Sequence, residues 1–79
     1  MITALKAARI KKKWTVPQAA AACGINKGNY YRIEMDQIGV GPDLADRIAK
    51  VFGNLVTRDQ ILFPKEYLVP DEELEAKAS

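Results

Sequence analysis

The stretch "TVPQAAAACGINKGNYYRIE", residues 15–34, decides the fold because it predicts two short helices joined by a tight turn. Thr15 is a natural N-cap, Pro17 lies in the first turn, where its missing N–H costs little, and Gly24 is suited to end the helix. The alanines between them are small enough for another helix to approach closely. The first of the two helices is therefore predicted over residues 16–23.

The second helix of this stretch begins after an asparagine. Asn26 can cap it, and Tyr30 and Ile33 recur at helical spacing, which predicts a helix over residues 27–35. A small residue before the turn, a glycine in it and apolar residues after it are typical of a helix-turn-helix. Gly28 is unexpected in the first turn, because glycine costs roughly 0.5–1 kcal/mol relative to alanine in a helix interior.

Three more helices complete the predicted domain. Apolar residues at helical spacing predict one over residues 2–12. Pro42 can begin the next helix and Gly53 can end it. The last helix begins with a Thr-x-x-Gln capping box at Thr57 and stops before Pro64. No segment of the sequence alternates apolar and polar residues as a strand would, so the predicted fold is all-α with five helices.

Length and composition restrict the function classes. A chain of 79 residues, 48% hydrophobic and 28% charged, fits one small globular core and is too short for two. The single cysteine, Cys23, is expected to be a small core residue. With no histidine and no second cysteine, the sequence predicts no metal site, no cofactor and no enzyme. It also lacks the roughly 18-residue apolar run of a membrane span and any signal peptide, so we expect a cytoplasmic protein with no membrane contact.

Charge is unevenly distributed along the chain. Residues 1–33 contain seven Lys and Arg and no acid, a net charge of +7, whereas residues 34–79 have a net charge of −5. A basic half indicates a polyanionic partner. For the lysine run at residues 11–13, a solvated surface is an equal alternative to phosphate contacts that add salt-dependent, sequence-independent affinity.

The sequence divides into a domain over residues 1–64 and a tail over residues 65–79. Pro64, directly before the tail, and Pro70 keep the first part of the tail extended, and residues 71–77 could form one or two helical turns. Partial disorder and a part in dimerisation are both open for this tail. Its acidic residues are Glu66, Asp71, Glu72, Glu73 and Glu75.

Residues 5–53 match the pattern of a known family. Arg9 lies in the first helix, alanines and a glycine lead into the turn, "RIE" ends the third helix, and "LADRIAKVFG" closes the match. With these features the chain resembles the Cro/CI-type helix-turn-helix domain, the XRE family of phage repressors and related bacterial regulators. The ending "VTRDQILFP", residues 56–64, is similar to that of small prophage-encoded members.

The resemblance implies a compact domain like that of lambda repressor, with the third helix in the major groove of double-stranded DNA. It implies specific binding, as a symmetric homodimer at least on DNA. Tyr30 and Ile33 would take buried positions. The positions that would face the groove are Lys27, Gly28, Asn29, Tyr31 and Arg32.

These residue types suit that role chemically. Asn29 could donate to and accept from an adenine edge, and Lys27 and Arg32 could reach guanine acceptors or phosphates. Tyr31 could meet a thymine methyl group or a phosphate oxygen, although a plain surface tyrosine is the alternative. We expect Gly28 to let the start of the helix approach the DNA closely.

Further contacts are expected beside this helix. Family members tend to place a glutamine at the start of the second helix against a phosphate, and here Thr15 or Gln18 would substitute for it. Lys13 would lie near a phosphate too. Trp14 is expected to pack at the edge of the domain instead of stacking on a base.

The resemblance also implies an ion pair between Arg9 and Glu34. It would tie the first helix to the end of the third and fix the recognition helix against the scaffold. If partly buried, such a pair holds geometry more than it stabilises, because desolvation offsets much of the attraction.

The last helix and the residues after it contain more apolar side chains than a single small core needs. We therefore expect dimerisation through this part of the chain. The candidates are Ile61, Leu62, Phe63, Tyr67, Leu68 and Val69.

Two functions are consistent with the sequence. The first is a transcription regulator that blocks RNA polymerase, or recruits it through an acidic surface. The alternative is a protein-interaction module of antitoxin or adaptor type, built on the same fold, whose acidic tail binds another protein.

Overall fold

Five α-helices account for most of residues 1–70, the part of the chain that the computed structural model describes. Within these residues the fold is all-α, as predicted, with one isolated antiparallel β-bridge. Short 3-10 helices at Gly53–Leu55 and Pro64–Tyr67 follow the fourth and fifth α-helices. The α-helices are α1 at Ala4–Lys11, α2 at Val16–Cys23, α3 at Lys27–Glu34, α4 at Pro42–Phe52 and α5 at Arg58–Leu62.

Two capping boxes start α2 and α5. Thr15 Oγ1 accepts the N–H of Gln18 at 3.3 Å, and Gln18 Oε1 accepts the N–H of Thr15 at 2.8 Å. Thr57 and Gln60 make the same exchange at 3.2 and 2.9 Å. The box at Thr57 agrees with the prediction from the sequence. At Thr15 the sequence analysis predicts an N-cap alone, although the Thr-x-x-Gln spacing is the same. Each box satisfies two backbone donors that a helix start would otherwise leave without partners.

Positive φ angles mark the ends of four helices, including α4, which ends at Gly53 with φ 63°. α2 ends at Gly24 with φ 71°, a conformation that glycine adopts without steric cost. Lys13 after α1 and Asp36 after α3 have φ 60° and 59°, which costs a residue with a side chain roughly 1–2 kcal/mol. Backbone bonds across these turns, such as Trp14 N–H to Arg9 O at 3.2 Å, hold the conformation. α1 therefore stops inside the lysine run.

α1 starts at Ala4, not at residue 2 as predicted. Thr3 is extended, with φ −70° and ψ 156°, and its Oγ1 accepts the N–H of Lys6 at 3.2 Å. Ile2 lies before this cap and forms a β-bridge with Val69. The apolar spacing of Ile2 fitted a helix, but a residue before the N-cap lies outside the helix.

The apolar faces of the helices meet in one core. Ala19 and Ala20 are fully buried, and α2 lies directly against α3. Trp14 packs edge-on against Phe52 at the edge of the domain, as predicted, with ring centroids 5.5 Å apart. The core also contains Leu5, Ala8, Cys23, Tyr30, Ile33, Ala45, Ile48, Val56 and Ile61.

Residues 65–70, which the sequence assigned to the tail, pack on the helical body. The 3-10 helix Pro64–Tyr67 contacts α1 and α5. Beyond it, Val69 exchanges two backbone hydrogen bonds with Ile2, both of 2.8 Å. The helical turns predicted for residues 71–77 lie outside the described residues. So do the acidic side chains of Asp71, Glu72, Glu73 and Glu75.

The longest α-helix of the described chain is α4, with 11 residues. No helix within residues 1–70 has the length and apolar character that crossing a membrane requires.

Candidate nucleic-acid interface

One side of α3 is anchored in the core. Tyr30 is 0% exposed, Ile33 is 6% exposed, and Glu34 is buried beside them. Because side chains three and four residues apart share a helix face, the remaining positions of α3 point outward. The exposed residues are Lys27, Gly28, Asn29, Tyr31 and Arg32, the same five that the family resemblance places in the groove.

The exposed side of α3 is basic. Lys27 and Arg32 contribute two positive charges, while Glu34, the one carboxylate of this helix, is withdrawn into the core. Asn29 and Tyr31 place neutral hydrogen-bonding groups between the two charges. The N-terminus of the helix adds the partial positive charge of its dipole. Such an array can attract phosphates by charge and contact base edges through side-chain donors and acceptors.

The start of α3 is organised by a single side-chain oxygen. Asn26 Oδ1 accepts the N–H groups of Gly28 at 2.7 Å and Asn29 at 3.4 Å. A Cβ atom added at Gly28 would lie 3.0 Å from this oxygen. Glycine therefore makes room for the cap, a local reason that sequence reasoning missed when it explained the residue by DNA approach alone. The helix-propensity gain of an alanine would be opposed by displacement of the cap.

The predicted phosphate contacts lie at the start of α2 and just before it. Lys13, Thr15 and Gln18 are all exposed. Because Thr15 and Gln18 form the capping box, the oxygens of both side chains bond backbone N–H groups. The part of Gln18 suited to a phosphate is then its amide NH₂ group. Lys12 lies over the Trp14 ring, with Nζ 4.7 Å from the ring centroid.

A bidentate ion pair connects α1 to the end of α3. Arg9 Nε lies 2.8 Å from Glu34 Oε2, and Nη2 lies 2.9 Å from Oε1. Arg9 Nη1 also donates to the carbonyl oxygen of Trp14 at 3.0 Å. The Glu34 side chain is 0% exposed and that of Arg9 15%. The hydrogen bond to Glu34 raises the pKa of Arg9 against the opposing effect of burial.

This pair fixes the position of α3 more than it adds stability. Removing two charges from water costs several kcal/mol per ion, and their attraction offsets that cost only when the geometry is good. The three hydrogen bonds from Arg9 to Glu34 provide this geometry. Loss of one partner would leave the other as an uncompensated buried charge.

Tyr30 brings a phenol close to this ion pair. Its hydroxyl is fully buried and makes no hydrogen bond of standard geometry with residues 1–70. Burial raises the pKa of Tyr30, and the nearby Glu34 carboxylate raises it further. The phenol is therefore neutral at physiological pH and anchors α3 mainly by packing.

A helix-turn-helix family model matches residues 5–56, well over half of the chain. The chain belongs to the Cro/CI-type (XRE) helix-turn-helix family. This membership confirms the family predicted from the sequence. The XRE protein is accordingly a DNA-binding regulator, from a family that is regulatory and not enzymatic. Comparisons with curated proteins and with solved structures each gave no match.

The structure narrows the set of residues that could join two copies of the XRE protein. Ile61 is 5% exposed in the protein's own core, so it is not available to a partner. Leu62 packs against the core, and Val69 is half buried in the bridge to Ile2. The candidates that remain exposed are Phe63, Tyr67 and Leu68.

Sequence reasoning missed one buried polar residue of this region. Thr3 donates its hydroxyl to the carbonyl oxygen of Glu34 at 2.7 Å. A threonine directly before an apolar helix pattern is a recognisable N-cap signal. That signal predicts the cap of α1 but cannot identify a partner in α3.

We expect Arg9→Ala to lower the free energy of unfolding by about 3 kcal/mol, because Glu34 would remain as an unpaired buried charge. DNA affinity should fall as well, since α3 would no longer be held against α1. Thermal unfolding and DNA titration measure the two effects. Arg58→Ala, which removes an exposed arginine of α5, is the control. An unchanged melting temperature in Arg9→Ala would contradict a structural role for the pair.

The buried thiol and phenol should make the fold sensitive to alkali. Burial raises the pKa of Cys23 from 9.0 to about 11, and the pKa of Tyr30 is raised above 10.0. Both groups stabilise the folded state while protonated. This contribution is complete below the unfolded pKa values and is lost as pH rises through the folded ones.

The unfolding free energy should therefore fall between about pH 9 and pH 11, and Cys23→Ala should remove part of that decrease. Urea unfolding across this range measures the slope. Equal slopes in the wild type and in Cys23→Ala would show that the buried thiol does not contribute.

Proposed function

We propose that the XRE protein is a sequence-specific transcription regulator of the Cro, CI or CII kind, from a phage or prophage, that inserts α3 into the major groove of double-stranded DNA. The exposed basic side of α3 carries this proposal, because its polar side chains lie opposite a buried anchor, Tyr30. A helix of this kind fits the major groove, which is about 12 Å wide.

The proposed readout divides the exposed residues by chemistry. Asn29 and Arg32 contact base edges, because an amide matches adenine and a guanidinium matches guanine. Lys27, at the first position of α3, contacts a base or a phosphate. Lys13 and Gln18 bind phosphates beside the groove and set the register of the protein on the duplex.

Occupation of an operator blocks RNA polymerase in the proposed mode of action. The charge distribution supports DNA as the partner, since residues 1–33 have a net charge of +7 and attract a polyanion. A polymerase contact through the acidic residues would turn the same binding event into activation.

Two copies bind together in this proposal. A symmetric dimer uses the same patch on both subunits, so the patch must be complementary to itself. Phe63, Tyr67 and Leu68 are 54%, 39% and 41% exposed, and they lie close together in sequence after α5. Burying them against a second copy would remove apolar surface from water, which favours association.

Selection of bound sequences from random double-stranded DNA tests the proposed function. We expect a two-fold motif with half-sites about one helical turn apart, 10–10.5 base pairs, and an affinity that falls steeply as salt rises. Failure to enrich any motif would overturn the proposal.

Variants then test the assignment of α3. Asn29→Ala should weaken binding to the selected site by about 1–3 kcal/mol and relax specificity, while Lys13→Ala should weaken selected and random DNA alike and reduce the salt slope by about 1. Lys50→Ala is the matched control, because Lys50 pairs with Asp46 on α4, outside the helix-turn-helix. Equal binding by Asn29→Ala and Lys50→Ala would mean that α3 does not read the bases.

Leu68→Asp should weaken self-association about tenfold or more, since a charge would be buried at the centre of the proposed dimer contact. Sedimentation over a concentration series measures it. Leu55→Asp is the matched control, because Leu55 is 38% exposed, nearly as much as Leu68, and lies in the 3-10 helix Gly53–Leu55, before α5. If both variants dimerise like the wild type, the contact lies elsewhere.

A further inference from the structure

The end of α3 obtains one of its hydrogen bonds from a distant part of the chain. An α-helix leaves its last four carbonyl groups without partners inside the helix. In α3, the turn that follows the helix satisfies three of these groups. The three bonds run from Met35 N–H to Tyr31 O, from Gln37 N–H to Arg32 O and from Asp36 N–H to Ile33 O. The fourth group, Glu34 O, accepts the hydroxyl of Thr3 at 2.7 Å, across 31 residues of sequence.

Thr3 uses one hydroxyl group for two helices. Its oxygen accepts the N–H of Lys6, which caps α1, and its proton is donated to Glu34 O, which completes α3. A hydroxyl has one proton and two lone pairs, so both bonds form at once. Thr3 is 8% exposed, and its hydrogen bond to Glu34 O is buried.

Glu34 is consequently held at two points by α1 and its cap. Arg9, inside α1, binds the side-chain carboxylate, and Thr3, at the N-cap, binds the backbone carbonyl. Packing of Tyr30 and Ile33 in the core already limits how far α3 can rotate about Glu34. Two attachments at different places along α1 also fix the direction of α3.

The position of Thr3 is itself maintained by the C-terminal part of the described chain. Ile2, the residue before it, exchanges two backbone hydrogen bonds of 2.8 Å with Val69. This pairing holds the chain extended on one side of Thr3, while α1 begins on the other side. The path from Val69 through Thr3 to Glu34 therefore joins both ends of the described chain to the recognition helix.

We propose that Thr3 is a positioning residue for DNA reading, which sets the angle of α3 through its hydrogen bond to Glu34 O. It touches α3 from the side that carries the buried residues, so it acts on the groove-facing side chains only through the orientation of the helix. The proposal rests on the proposed function for its effect on DNA, but the attachment can be measured without DNA.

The test compares three variants below the melting temperature of each. Thr3→Val retains the shape of the side chain and removes the hydroxyl, whereas Thr3→Ser retains the hydroxyl. Thr57→Val is the matched control: Thr57 caps α5 by accepting an N–H at 3.2 Å, the same distance as in the cap that Thr3 makes, and its side chain is not bonded to α3.

The first measurement is amide hydrogen exchange at the end of α3 in the protein alone. In Thr3→Val the amides of residues 35–37 should exchange about tenfold faster than in Thr57→Val, because Glu34 O is left without a donor and the last turn opens more often. Thr3→Ser should restore the wild-type rate. Equal exchange in Thr3→Val and Thr57→Val would overturn the positioning role, whatever the DNA result.

The second measurement is the ratio of affinities for the selected operator and for random DNA at one salt concentration. Thr3→Val should lower this ratio about tenfold, since base contacts depend on the angle of α3 and nonspecific phosphate contacts much less. Thr57→Val and Thr3→Ser should retain the wild-type ratio. An unchanged ratio in a folded Thr3→Val protein would contradict the proposal.

A separate variant covers the case in which Thr3→Val does not fold. Val69→Pro removes the N–H that Val69 donates to Ile2, and it should speed exchange at residues 35–37 relative to Val69→Ala, which retains that N–H. Equal exchange rates at residues 35–37 in these two variants would contradict the proposed connection from Val69 through Thr3 to Glu34. If the wild type selects no DNA sequence, the proposed function fails, and the exchange rates still decide whether Thr3 holds α3.

Discussion

The burial of Glu34 at the end of α3 is the constraint on which the rest of the structure depends. Burying a carboxylate that is 0% exposed costs much free energy unless a cation and hydrogen-bond donors lie beside it. Arg9 supplies both from α1, and the carbonyl of Trp14 holds the far side of the guanidinium. One buried charge thereby joins α1, α3 and the turn before α2.

This arrangement explains how a helix as short as α3 can leave the polar side chains of its outer face exposed to solvent. A domain of this size has only a small net stability, so a helix of eight residues needs tertiary contacts to persist. Tyr30 and Ile33 supply packing, and the attachments at Glu34 supply direction. The outward side chains are then available for a partner, and their positions are held without a large core.

Prediction from sequence succeeded where a signal acts within one or two turns of helix. Caps, prolines and glycines placed all five helices, and helical spacing separated the buried and exposed sides of α3. It failed at Ile2, whose apolar side chain fitted the helical spacing although Thr3 was the cap. It also failed to separate Ile61, which belongs to the core, from Phe63, because both are apolar residues at the end of the same short helix.

The sequence by itself determined the all-α class, the helix-turn-helix, the family and the basic character of the exposed residues of α3, because these depend on local spacing and residue type. Only the tertiary structure decided that Thr3 completes α3 and that Ile2 pairs with Val69. It also decided which apolar residues after α5 remain exposed. These contacts join residues far apart in the chain, where no local propensity determines the partner and packing of the whole domain selects it.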